Sequence, residues 1–313
     1  MSDTISDPQV TSPDSDPAED PSAPLEGRED HGRRARFQAS AGHFLRNQPL
    51  GVASGLFIGI VLAAALFAPW LAPYSPTEQT RTEILESPSM THYFGTDDLG
   101  RDIFSRVLYG ARSSLFVATA TILAATSVGV VLGAISGYFG GKVDMVIQRI
   151  IDAVLSVPVL LLGLFIVSLL GPSIRNVILA LAIVFTPRFS RIARGEMLRI
   201  KVSEYVVAAE ALGARPTRVI MRHGIPNLAA PIIVLASLTF GQAIVAESAL
   251  SFLGLGVPPP APSWGRMLAD SRQWMQIAWW MVVFPGAALS FSVLAFNLLG
   301  DALRDHLDPK LVR

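Results

Sequence analysis

The chain has 313 residues, of which 51% are hydrophobic and only 16% are charged, whereas an ordinary soluble domain has about 25% charged residues. Its 25 Lys and Arg balance its 25 Asp and Glu, which argues against a generally basic nucleic-acid binder and against an acidic disordered chain. Cysteine is absent, which excludes a disulfide framework, a thiol nucleophile and a Cys-ligated metal or iron–sulfur site.

The charge balance is an average over two unlike regions. Residues 1–30 hold nine acidic residues and one basic residue, so residues 31–313 carry 24 basic and 16 acidic residues, a net charge of +8. The first thirty residues also contain five prolines and no apolar periodicity, and such a segment buries too little surface to offset its ordering entropy. We predict a disordered acidic tail over residues 1–40. It is not a secretory signal peptide, because the first apolar run begins only at Gly51.

Five charge-free stretches are long enough to cross a bilayer as helices, for which about 20 residues are needed. They contain 22 to 29 residues each. A soluble core helix carries a polar stripe at a period of 3.6 residues, so these stretches predict an all-α integral membrane protein. They are residues 51–72, 113–141, 153–174, 224–246 and 273–300.

A sixth stretch, Asn176 to Pro187, is charge-free for only 12 residues. It crosses the bilayer only if the helix continues through Arg188, Arg191 and Arg194, with those side chains snorkelling to the surface. With six spans, 18 of the 25 Lys and Arg lie on the side that holds both termini, eight of them from Arg188 to Arg222. Because Lys and Arg accumulate in cytoplasmic loops, we predict six transmembrane helices with both termini cytoplasmic.

The predicted organisation has four parts. A cytoplasmic tail (1–40) precedes a first transmembrane helix and an extracytoplasmic segment (41–110), a main transmembrane domain (111–300) and a cytoplasmic C-terminal tail (301–313). The six helices are predicted at 51–72 and at about 113–138, 150–171, 176–195, 226–248 and 276–300.

Two of these helices carry glycines at four-residue spacing. The rows are Gly51, Gly55 and Gly59 in the first helix, and Gly129, Gly133 and Gly137 in the second. Small residues at this spacing let helix backbones approach closely in lipid. The rows therefore predict tight packing within one bundle, with a hinge or a lipid-facing dimer contact as alternatives.

Catalytic motifs are missing from the sequence. It contains no HExxH, CxxC, Gly-x-Ser-x-Gly or GxxxxGK[ST] pattern, so we predict no catalytic residue, metal ligand or cofactor in this chain. Asp144, Arg149 and Asp152 at the start of the third span are expected to form an interfacial ion pair. Glu247, followed by Ser248 near the outer end of the fifth span, is expected to line a polar path or to contact an outer partner, since ionisable residues in spans are functional candidates.

The cytoplasmic loop from Lys201 to Asn227 is the most informative segment. Ser203 is a predicted N-cap, and a helix with an apolar face then ends at Gly213, followed by a second basic helical stretch that leads to Pro226. The expected apolar face consists of Tyr205, Val206, Ala209 and Leu212. The segment is either a helix that docks into a groove of another protein or a solvated amphipathic loop.

This loop resembles the EAA signature of ABC importer permeases, in which E-A-A is followed by three residues, Gly, nine residues and I-x-L-P. Ala208, Ala209, Gly213 and Pro226 match the pattern, with Ile225 at the Leu position. Val207 replaces the Glu and His223 replaces the Ile. The resemblance implies that the loop contacts an ATPase through Ala208, Ala209, Glu210, Gly213, Ala214, Ile225 and Pro226.

Three further stretches resemble the second permease subunit of dipeptide and oligopeptide ABC importers: 94–115, 138–158 and 247–268. The resemblance covers residues 45–313 and implies a type I importer permease fold. It also implies four kinds of partner: a second homologous permease, one or two ABC ATPase subunits that bind ATP and Mg, an extracytoplasmic peptide-binding protein and the lipid bilayer. Nickel, glutathione or another small solute is an alternative substrate, and a self-energised secondary carrier is an alternative class, although the spans hold little of the buried charge that such a carrier needs.

Two outer segments are candidates for contact with the binding protein. Thr96, Asp97 and Asp98 are expected to cap a short amphipathic helix that lies along the membrane surface before the second span. The proline-rich loop from Val257 to Gly265 is expected to be extended and stiff, with Trp264 as a possible contact. Capping of the bundle is the alternative for both segments.

Overall fold

The computed structural model describes residues 48–307, and the predicted tail over residues 1–40 lies outside them, as do residues 308–313 of the predicted C-terminal tail. Within that range the regular structure is helical, apart from one isolated bridge between Thr96 and Asp102. The α-helices are α1 (Pro49–Leu66), α2 (Ala68–Leu71), α3 (Ile103–Phe139), α4 (Gly141–Leu155), α5 (Val159–Leu170), α6 (Ile174–Lys201), α7 (Glu204–Ala211), α8 (Pro216–Val219), α9 (Ile225–Phe252), α10 (Trp264–Asp270) and α11 (Trp280–Leu307). A π turn (Ile220–Gly224) joins α8 to α9, and a 3₁₀ turn (Ser271–Gln273) follows α10.

Five helical segments of the described chain are long and apolar enough to cross a membrane, and a bent pair makes a sixth. The pair is α4 and α5, which meet at 91° across a break of three residues. The break ends at Pro158, which disfavours helical backbone at the residue before it, so the helix expected over 150–171 is not one straight element. The predicted all-α membrane fold is confirmed.

The helix α6 continues through its arginines, and each of their side chains has a polar partner on a neighbouring helix. Arg194 donates to Asp144 of α4 at 2.5 Å through both Nε and Nη2, and Arg191 Nη2 donates to Asp152 Oδ1 at 2.7 Å. Arg188 Nη1 donates to Gln242 Oε1 of α9. Polar partners on neighbouring helices thus lie within reach of all three arginines, and their snorkelling to the membrane surface stays a prediction. Asp144 and Asp152 likewise pair with α6.

The helix α6 packs directly against the glycine row of α3. A Cβ atom on Gly133 would overlap the carbonyl oxygen of Ser190 and lie 2.7 Å from Ala193 Cβ, and one on Gly129 would lie 2.6 Å from Phe189 Cβ. The predicted close packing within the bundle is confirmed for this row, because only glycine leaves room for the α6 backbone. The α1 row differs: a Cβ on Gly59 would meet nothing within 4 Å.

The residues before α3 fold into a non-helical segment instead of a surface helix. Asp102 is the N-cap of α3, and its Oδ2 accepts a hydrogen bond from the Ser105 amide at 2.7 Å. Asp97 instead accepts from Arg101 Nε at 2.6 Å and from two backbone amides. The predicted amphipathic helix before the second span is wrong, because Ile103 already starts a helix of 37 residues. We call the end of the bundle that carries residues 72–102 the cap end, and the end that carries residues 202–224 the loop end.

A buried histidine connects two carboxylates of residues 72–102 at the cap end. His92 Nδ1 lies 2.9 Å from Asp102 Oδ1, and His92 Nε2 lies 3.3 Å from Glu83 Oε2. Burial by itself lowers the pKa of His92, but the hydrogen bonds to the two carboxylates outweigh it, so the pKa is raised above its ordinary 6.5. The imidazolium form therefore stabilises the cap.

Candidate functional site

The loop end carries a short helix, α7, that is fixed to the end of α3. Its side chain Val206 is fully buried. Glu210 Oε1 accepts a hydrogen bond from the Tyr138 hydroxyl at 2.8 Å, and Lys201 Nζ donates to the Tyr138 carbonyl oxygen at 2.7 Å. Glu210 thus bonds α7 to the end of α3, and Lys201, the last residue of α6, bonds to the same tyrosine.

A glycine ends α7. Gly213 has a φ of +82°, its amide donates to the Glu210 carbonyl at 2.9 Å, and the Ala214 amide donates to the Ala209 carbonyl at 3.0 Å. These two bonds form a Schellman motif, which needs a left-handed residue at the position that follows the cap. The prediction that the helix stops at Gly213 is confirmed, and its reason is the positive φ, since a Cβ there would meet nothing within 4 Å.

Part of the exposed surface of α7 and of the turn after it is small and apolar, beside the exposed Glu204, Tyr205 and Glu210. Leu212 is 90% exposed and Val207 is 54% exposed, and Ala208 and Ala211 between them are also exposed. The predicted face is therefore wrong in part, because the short helix contacts the bundle through Val206 and leaves the end with Leu212 free. We call Val207, Ala208, Ala211, Leu212 and Gly213 the loop tip.

The N-terminal cap also differs from the prediction. Ser203 occupies the N-cap position but makes no capping hydrogen bond with its side chain. Its hydroxyl instead donates to the Ile200 carbonyl at 2.6 Å, which holds the turn between α6 and α7.

The second half of the loop leads without interruption into α9. Pro226 is exposed in the first turn of α9 and does not end a helix. A proline is tolerated there because its missing N–H is not needed in a first turn, and the preceding π turn supplies a wider backbone ring. Ala214 and Ile225 are half-buried against the core, whereas Ala209 is half-buried on α7.

At the cap end, Glu247 is completely buried and surrounded by hydroxyl groups. Ser251 Oγ donates to Glu247 Oε1 at 2.7 Å, and Ser248 Oγ donates to Glu247 Oε2 at 3.3 Å. The hydroxyls of Ser114 and Ser263 also lie beside this carboxyl group. The cluster joins α3, α9 and the turn before α10, and only a structure reveals the three additional serines, because serine spacing in a sequence carries no such signal.

Trp264 lies beside this cluster and is only 1% exposed. Its indole Nε1 donates to the Val107 carbonyl at 3.1 Å, and its amide donates to Ser114 Oγ at 3.4 Å. The structure thus brings Glu247, Ser248 and Trp264 together, as a buried joint that offers no surface to an outer partner. The exposed part of the same loop is residues 258–260.

The amino-acid sequence matches families of known proteins. Residues 129–313 match the family described as "Binding-protein-dependent transport system inner membrane component". The chain belongs to that family. It is a multi-pass permease of the inner membrane, of the ABC transporter type, with the type I permease fold. Residues 39–88 of this permease match a second family, "N-terminal TM domain of oligopeptide transport permease C".

Individual relatives match the permease over most of its length. The dipeptide transport system permease protein DppC of Escherichia coli (strain K12) is 47% identical over 275 residues, 86% of this chain and 92% of the relative. DppC of Alkalihalophilus pseudofirmus is 46% identical over 267 residues, 85% of this chain and 88% of the relative. The glutathione transport system permease protein GsiD of Pectobacterium atrosepticum is 42% identical over 269 residues, 86% and 89% of the two chains.

Proposed function

We propose that this permease is one half of the membrane path of an ATP-driven importer of dipeptides and oligopeptides. It pairs with a second homologous permease, receives peptide from an extracytoplasmic binding protein and couples to ABC ATPase subunits through residues 201–227. Both termini lie in the cytoplasm, so that the loop end faces the ATPases and the cap end faces the binding protein. The substrate class rests on the relatives that are named as dipeptide permeases.

The loop tip is the single observation that supports the coupling role best. Leu212, at 90% exposure, would be an unfavourable surface residue on a free loop, and an apolar knob of this kind is suited to a groove in another protein. The bonds of Glu210 and Lys201 to Tyr138 then carry the ATPase movement into α3. The lack of a phosphate-binding loop in the sequence fits an ATPase supplied by a partner.

A second candidate substrate is glutathione, because the relative GsiD is named as a glutathione permease. Glutathione is itself a short peptide with free carboxylates, so both candidates present similar chemistry. Dipeptides and glutathione are distinguished by reconstitution of the permease in liposomes with the second permease, the ATPase subunits and the binding protein. ATP-dependent uptake of a dipeptide but not of glutathione supports the first, and uptake without any ATPase would support a self-energised carrier and overturn the proposal.

The coupling role is tested by Leu212→Glu, with Met90→Glu as the matched control. Met90 is 92% exposed in the cap segment, so both variants place a carboxylate on a solvent-exposed apolar side chain. We expect Leu212→Glu to lose copurification of the ATPases and ATP-dependent uptake, because a charge that enters an apolar groove is desolvated. Met90→Glu should retain the ATPases. An L212E permease that copurifies with the ATPases and transports as the unmodified permease does would overturn the coupling role.

A further inference from the structure

Three polar side chains from three different helices meet at one open cavity on the side of the bundle, where Leu160, Gln242 and Val245 are exposed. Arg188 of α6, Gln242 of α9 and Asn297 of α11 line a cavity of about 280 Å³. Arg188 Nη1 donates to Gln242 Oε1. Gly241 provides space for the third group, because a Cβ atom there would lie 2.9 Å from Asn297 Oδ1.

The three polar side chains of the cavity lie in the inner part of helices that are long and apolar enough to cross a membrane. Each of Arg188, Gln242 and Asn297 is at least ten residues from either end of its helix. At 1.5 Å per residue, each of them lies at least about 15 Å from the ends of its helix. An arginine so far from the ends of a membrane helix faces a wet cavity or a partner, since exposure to lipid is expensive.

The charge of Arg188 is not neutralised within the described chain. The next two arginines of α6 each have a carboxylate, with Arg191 on Asp152 and Arg194 on Asp144. In residues 48–307, Arg188 forms no ion pair, and its hydrogen bond goes to a neutral amide. Its guanidinium group also lies 5.9 Å from the centre of the Phe185 ring. Arg188 therefore has donors left for an anion.

The other two side chains offer neutral amide groups. Gln242 uses its amide oxygen for Arg188, which leaves its NH₂ group with two donors. Asn297 is half-buried, and its amide has no hydrogen-bond partner among the residues that the structure describes. A side-chain amide pairs with a peptide group through one donor and one acceptor. The remaining wall is apolar and includes Leu160, Val245 and Val293.

We propose that this cavity is a peptide-binding site within the membrane path, in which Arg188 binds the C-terminal carboxylate of the transported peptide. Guanidinium groups pair with carboxylates through two parallel hydrogen bonds. Gln242 and Asn297 bind the last peptide group, and the apolar wall contacts side chains without demanding a particular one. The volume of about 280 Å³ is close to the lower end of small-molecule sites, about 300 Å³, which suits a very short peptide. This proposal rests on the proposed function.

The experiment compares two peptides in the complete importer reconstituted in liposomes. One is a dipeptide with a free C-terminal carboxylate, and the other is the same dipeptide with a C-terminal amide, each at a concentration that saturates the binding protein. Arg188→Gln removes the cation. Arg191→Gln is the matched control, since it removes an arginine of the same helix whose ion pair is exposed and therefore weak.

We expect Arg188→Gln to lower uptake of the free carboxylate peptide by about tenfold or more, as expected for loss of a charge-assisted hydrogen bond. Uptake of the amidated peptide should change by less than about twofold, because no charge is lost there. Arg188→Lys should restore part of the uptake, and Arg191→Gln should behave as the unmodified permease does.

Three results would overturn the proposal. An equal loss for both peptides would show that Arg188 does not read the carboxylate, and an unchanged uptake of both would show that it is not in the path. Loss of the second permease from purified R188Q complexes would assign Arg188 to a carboxylate of that subunit. Failure of the unmodified importer to take up either peptide would overturn the proposed function as well, so the two failures are distinct.

Discussion

Arg188 and Glu247 are both ionisable residues within membrane-spanning helices, but their surroundings differ. Glu247 is completely buried, two serine hydroxyls donate to its carboxyl group, and two more lie beside it. Arg188 lies at an open cavity and, within residues 48–307, forms one hydrogen bond, to an amide. A buried polar group whose bonding capacity is met within the chain stabilises the fold. A polar group that faces a cavity and has unused hydrogen-bonding capacity is instead a candidate for binding a ligand.

The largest effect on stability is expected from substitution of Glu247. Glu247→Ala removes the shared acceptor of two buried serine hydroxyls and leaves a cavity, so we expect it to lower the free energy of unfolding by about 3 to 5 kcal/mol. Thermal unfolding of the purified permease in detergent measures the change. Glu247→Gln keeps the shape and an acceptor oxygen and should cost about 1 kcal/mol. If both variants unfold at the temperature of the unmodified permease, Glu247 does not hold the cap end together.

The two glycine rows differ in the same way, because Gly133 of α3 packs against another helix and Gly59 of α1 does not. Gly133→Ala places a methyl group in the space of the Ser190 carbonyl oxygen, so α3 and α6 must separate, at a cost of about 2 kcal/mol. Gly59→Ala meets nothing within 4 Å and should stabilise α1 by up to about 1 kcal/mol, as alanine does in helices. Unfolding midpoints of the isolated permease should move in opposite directions. Equal effects would contradict the assignment of the α3 row to packing.

Arg188→Leu should have almost no effect on stability. It removes a charge that is not neutralised within the described chain, so we expect the free energy of unfolding to change by less than about 1 kcal/mol. Peptide uptake should nevertheless fall, which separates function from folding at this residue. A destabilisation as large as that of Glu247→Ala would place Arg188 in the same structural class as Glu247 and remove the contrast.

The last prediction concerns the pH dependence of the contribution that His92 makes at the cap end. Because its pKa is raised in the folded protein, its contribution to stability is complete below about pH 6.5 and is lost as the pH rises through the raised pKa. The unfolding temperature of His92→Gln should therefore fall further below that of the unmodified permease at about pH 5.5 than at about pH 8.5. A difference that is constant with pH would show that the two carboxylates do not retain the proton.

The sequence alone determined the class of the protein. Long charge-free stretches must be helices in a bilayer, because only helices satisfy the backbone there within one segment. The end of α7 at Gly213 was also predictable, since a left-handed position selects glycine. The spacing of the loop motif indicated the family by itself, and the positions of Ala208, Gly213 and Pro226 on the exposed side of the loop agree with that assignment.

Only the tertiary structure decided which polar groups are already bonded. The sequence marks Arg188, Arg191 and Arg194 as equivalent cations at the end of one helix, yet two of them have carboxylates and the third faces a cavity. It also singles out Trp264 as a surface contact, whereas the indole is buried. The physical reason is that bonding between helices depends on distances between residues far apart in the chain, such as Arg188 and Gln242, and no local pattern encodes them.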